Sequence, residues 1–167
     1  MKVLFSVDGH LVAQLILTGR VAANTIVARA KGESILQQDW SQTSATADRL
    51  ALSQVVFTIP EVASVGHTRV SAKAANIKFR AVTAPIATVG ATIYFEGYEP
   101  GWAQWIVEEG SNKLLGATFC GHDCAELIHG STVGIVAGLT LEQMSHAIPS
   151  FPTMSEVYQN LIEASGI

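Results

Sequence analysis

A chain of 167 residues in which 49% are hydrophobic and only 14% charged falls well below the roughly 25% charge usual for a soluble domain. Its net charge of -4, with no basic or aromatic stripe, excludes an electrostatic footprint for nucleic acid. The length suits one domain with an appended element, and the low charge favours a surface that a partner covers over one that is merely compact.

Leu11 to Ala30 is expected to be a helix, apolar on most of its circumference and stopped at Lys31-Gly32. Gln14, Thr18, Arg20, Asn24 and Arg29 interrupt it too often for a membrane span. The N-terminus lacks the charged start, unbroken apolar run and small-residue cleavage site of a secretory signal, which points to the cytoplasm. The polar stretch that follows reads as a linker, giving an N-terminal strand and helix over 1–32, a linker over 33–51 and a main domain over 52–167.

Within the main domain, LSQVVFTI is a strand candidate ended by Pro60, and a short helix begins after Thr68. Asn76 to Ala84 alternates as a strand, with Ile77, Phe79 and Ala81 on one face and Lys78 and Arg80 on the other. Ala91 to Glu96 reads as a further strand. Gly101 to Glu108 and Lys113 to Cys120 flank the polar loop Glu-Gly-Ser-Asn, a hairpin signal, and Trp102 and Trp105 fall on opposite faces of their strand. Asp123 and Glu126 have the spacing of a helix start for the run from Cys124 to Ala137, which ends at Gly138. Thr140, with Gln143 three residues on, opens the next helix, which carries Met144 and His146 and must end before Pro149. Thr153 and Glu156 then have capping-box spacing for a last helix from Met154 to about Ala164. The order predicts an α+β fold, a largely antiparallel sheet packed with helices and preceded by an N-terminal helix.

Few side chains offer chemistry. Cys120 and Cys124 match neither C-x-x-C redox spacing nor paired zinc spacing, and with His122 they read as small residues buried at a strand-to-helix turn, so no metal site is expected. Gly130, Gly134 and Gly138 recur on one helix and permit close packing. His146 reads as a surface or interface side chain.

Three motifs carry a resemblance. IPSFPTMSE, VVFTIPEVASVGHT (with Thr58, Pro60 and Glu61) and KLLGATFCGHDCAELIH resemble, in order, the closing signature, the opening strand and a strand-helix unit of the dimerisation domain of the flavin-dependent pyridine nucleotide-disulfide oxidoreductases. The resemblance covers about Leu52 to Ala164. LTGRVAANTIVARAKG looks like the helix that ends the family's flavin domain, and Asp8 is the one cofactor-binding candidate, in an Asp-Gly order that reverses the family's Gly-Asp pair.

The resemblance implies a homodimerisation domain that is not redox active alone, in a parent whose upstream domains bind FAD and NAD(P). Phe151 stands where the family carries its acid-base histidine. Phe151, Pro152 and Thr153 are then interface residues walling the partner's flavin site, and Glu156 is either an inherited orienting carboxylate or a helix cap, the cap being preferred. No G-x-G-x-x-G occurs, so the chain itself holds neither nucleotide. The competing reading is a stand-alone small-molecule or cofactor-binding module using the same fold.

Overall fold

The computed structural model describes residues 3–7, 10–14, 51, 53–94 and 101–167. The chain divides into two compact units, Met1–Leu52 and Ser53–Ile167.

In the first unit β1 (Val3–Val7) pairs antiparallel with β2 (His10–Gln14), and Val7 lies opposite His10. The expected helix is corrected at its start, since Leu11 to Gln14 belong to a strand. Pairing with β1 along five residues outweighs the length of the apolar stretch. The remainder of that expected helix, the linker up to residue 50, and Asp8 itself lie outside the described residues.

The second unit is a five-stranded antiparallel sheet in the order β3 (Ser53–Val56), β4 (Glu61–Gly66), β7 (Leu114–Gly121), β6 (Trp102–Glu108), β5 (Phe79–Pro85). Its helices are α1 (Arg69–Ala74), α2 (Val89–Tyr94), α3 (Cys124–Ala137), α4 (Leu141–Met144) and α5 (Val157–Ser165), the last preceded by a 3-10 turn at Met154–Glu156. The α+β class, the β6–β7 hairpin and the helix following Thr68 match expectation.

Register explains which face is buried. Ala63, Phe119, Ala103 and Ala84 form one cross-strand row, and Val65, Ala117, Trp105 and Val82 the next. All eight are buried, with α3 packed on β4 and β7 and α5 on β5 and β6. Because side chains alternate along a strand, the other face carries Ser64, Thr118, Gln104 and Thr83 in one row and Val62, Cys120, Trp102 and Pro85 in another. Trp105 is fully buried while Trp102 is 43% exposed, as their spacing requires.

Four readings are corrected. β5 buries the face of Val82 and Ala84, which also carries Arg80, rather than the face of Phe79 and Ala81. Arg80 is accommodated there because its guanidinium donates to the Ser165 carbonyl and to Asn112 Oδ1, each at 3.2 Å. Ala91 to Tyr94 are helical, within α2, because the Thr88 hydroxyl accepts from the Ala91 amide at 3.0 Å and starts a helix that β-branched composition hides. β3 stops at Val56, short of Pro60, and α4 stops at Met144, leaving His146 exposed beyond it.

Candidate functional site

Two neighbouring features form the candidate site: the closing loop from Ser150 to Thr153, and an apolar groove beside it. Phe151 is 73% exposed, and Pro152 and Thr153 are half-buried. Thr153 and Glu156 form a capping box at the start of the 3-10 turn. Glu156 Oε1 accepts from the Thr153 amide at 2.7 Å, and the Thr153 hydroxyl donates to the Ser150 carbonyl at 2.6 Å. The same Oε1 accepts from the Gly90 amide in α2 at 3.3 Å. This second bond was not legible in the sequence, because it joins residues 66 positions apart.

Gly90 lets the loop close on α2. A Cβ there would lie 2.4 Å from the Thr153 carbonyl carbon, so only glycine allows that backbone approach. Glu156 is thereby committed to two amides, and Phe151 presents an aromatic ring to solvent with no proton to give.

The groove encloses about 620 Å³ between α3, α4 and α5, lined by Gly130, Val133, Gly134, Met144, Ile148 and Ile162 among others. Val133 and Ile148 are exposed large apolar side chains that line it, and Val136 is exposed further along α3. Gly130 and Gly134 thin the α3 wall, whereas Gly138 serves differently, ending α3 in the left-handed region at φ 65°.

Tyr158, unremarked by sequence reasoning, lies at the base of this groove. Its hydroxyl donates to the Leu127 carbonyl at 2.5 Å and accepts from the Ser131 amide at 2.8 Å. Burial pushes its pKa upward, outweighing the opposing effect of the Ser131 hydrogen bonds. Asn112 on the hairpin donates to the Glu142 carboxylate at 2.6 Å, the first cause of that carboxyl's lowered pKa.

The bounds of α3 match expectation, and the source of its cap is corrected. Asp123 sits at its N-cap with φ 56° and makes no side-chain cap bond; instead Glu61 Oε2, from β4, accepts from the Ala125 amide at 3.1 Å. Cys124 just inside is fully buried, and burial, reinforced by Cys120, Glu61 and Asp123, pushes its thiol up to about 12. Among the described residues no group of three or more His, Cys, Asp or Glu is placed to hold a metal.

The family model described as the pyridine nucleotide-disulphide oxidoreductase dimerisation domain matches residues 52–162. The chain belongs to that family. It is 35% identical over 111 residues to a dihydrolipoyl dehydrogenase of Chlamydia muridarum, covering 66% of this chain and 24% of that protein. It is 31% identical over 130 residues to a mercuric reductase of Streptomyces lividans, covering 78% and 27% respectively. Among solved structures, the copper complex of the HOCl-induced flavoprotein disulfide reductase RclA from Escherichia coli superposes with a TM-score of 0.63 at 28% identity, covering 71% of this chain and 26% of that one. The chain thus spans about a quarter of the length of these relatives. The match supports the dimerisation-domain reading and lends nothing to a stand-alone binding module.

Replacing Glu156 with Ala removes the acceptor of two amides and should lower unfolding free energy by about 1–3 kcal/mol, read from urea denaturation. An unchanged midpoint would mean that the carboxylate holds nothing. The native protein treated with iodoacetamide at pH 8 should leave Cys124 unmodified until it is denatured, because its thiol stays protonated and buried. Mass spectrometry showing rapid native labelling at Cys124 would contradict this.

Proposed function

We propose that this chain is the homodimerisation domain of a larger NAD(P)H-dependent flavoprotein, with residues 1–32 corresponding to the end of its flavin-binding domain and 33–51 to a linker. The carrying observation is the apolar groove between α3, α4 and α5, lined by exposed Val133 and Ile148. A second copy related by a two-fold axis brings the same surface to itself, which is the economical way to cover a face that is apolar and poor in charge.

FAD and NAD(P) belong to the upstream domains of the parent. The donor groups here do not fit a dinucleotide: the sequence has no glycine-rich phosphate turn, and the N-terminus of α3 already receives the Glu61 carboxylate where a pyrophosphate would sit. Asp8, in reversed order relative to the family's pair, gives no support for flavin binding. The two free thiols suit a cytoplasmic parent.

Phe151, Pro152 and Thr153 are proposed to stand at the dimer interface, where they wall the partner's flavin site. With phenylalanine at the histidine position, the parent lacks that position's proton transfer, which suits electron delivery to a quinone or similar acceptor better than thiol-disulfide chemistry. Glu156 is read as a structural carboxylate, consistent with its two amide partners.

Light scattering on the purified 167-residue chain should report a dimer, and Val133→Asp should shift it to monomer; a wild-type chain that stays monomeric at high concentration would overturn the proposal. In the intact parent, Phe151→His should not by itself create disulfide reductase activity. A clear gain of that activity would refute the architectural reading of the loop.

A further inference from the structure

We infer that Tyr158 is the positioning residue that sets where the closing loop stands against the rest of the domain. Its hydroxyl is threaded into α3, bridging the Leu127 carbonyl and the Ser131 amide, two groups that a regular α-helix pairs directly at four-residue spacing. A single hydroxyl on α5 therefore reads the backbone of α3 from both sides, donating to one group and accepting from the other.

The joint extends further. Ser131 Oγ lies 3.2 Å from the same hydroxyl and accepts from the Trp105 indole at 3.1 Å, which ties the helix pair to β6. The Tyr158 ring packs at tilted angles on Trp105 and Phe119, with centroids 5.7 Å and 5.9 Å away. Gly130 opens the space: a Cβ there would lie 2.7 Å from the hydroxyl and 2.9 Å from Cζ. A hydrogen-bonded hydroxyl fixes both the depth and the rotation of α5, which ring packing alone does not do.

Tyr158 lies two residues after Glu156, so one short segment carries both grips. The hydroxyl fixes that segment to α3, and the Glu156 carboxylate passes its position to the Thr153 and Gly90 amides. Phe151 and Pro152 follow from Thr153. In this arrangement the site's exposed aromatic is aimed by a side chain that never touches it.

Tyr158→Phe keeps the ring and removes only the hydroxyl, and residue-resolved amide hydrogen exchange on the 167-residue chain separates positioning from general support. Exchange at Thr153 and Gly90 should accelerate by about tenfold or more, while Ala63 and Phe119 in the central strands change by less than about twofold. Gly130→Ala, which displaces the hydroxyl, should give the same local pattern. Unchanged rates at Thr153 and Gly90, a uniform acceleration of every amide, or failure of Tyr158→Phe to fold would each overturn the inference.

Discussion

One carboxylate oxygen ties the closing loop to the rest of this domain. Glu156 Oε1 accepts from the Thr153 amide within its own turn and from the Gly90 amide of α2, so a local cap becomes a long-range tie. Charge-assisted bonds to backbone amides are among the stronger hydrogen bonds, and this pair adds to the prolines and to the Thr153–Ser150 bond that stiffen the loop. The tie needs the missing side chain at Gly90 as much as the carboxylate, because the two backbones meet where a Cβ has no room.

The loop can be held this way because the sheet beneath is packed from one side. Two cross-strand rows, centred on Phe119 and Trp105, bury their side chains under α3 and α5, and those helices meet across Tyr158. Residues that the core does not need are left facing outward: Val133 and Val136 on α3, Ile148 and Phe151 on the closing segment. Such exposed apolar groups around a thin, glycine-lined wall fit a domain whose family description is dimerisation.

Legibility in the sequence followed the range of the interaction. The β6–β7 hairpin was readable from Glu-Gly-Ser-Asn between two alternating runs, and the starts at Thr140 and Thr153 from spacings of three residues, because each is settled within a few residues. The helix α2 was not, since Val, Ala, Thr and Ile suggest a strand and its start rests on the Thr88 hydroxyl and the distant Glu156. Asp123 has the right spacing for a cap, yet the capping carboxylate comes from Glu61 on another strand. Arg80 marks its face as polar by composition, and only the Ser165 carbonyl and Asn112, brought in by folding, make that face the buried one. At the site, the mismatch at Phe151 and the capping box were visible along the chain, whereas Tyr158 and Gly90 gain their meaning from residues 27 to 66 positions away.

The account rests on the closing segment being held architecture with no proton-transfer role. The most direct measurement is the exchange rate of the Thr153 amide in the unaltered chain. If the Glu156 carboxylate grips it as described, that proton should exchange at least about a hundredfold more slowly than an unprotected amide, approaching the strand amides of β7. Exchange at the unprotected rate would contradict the account.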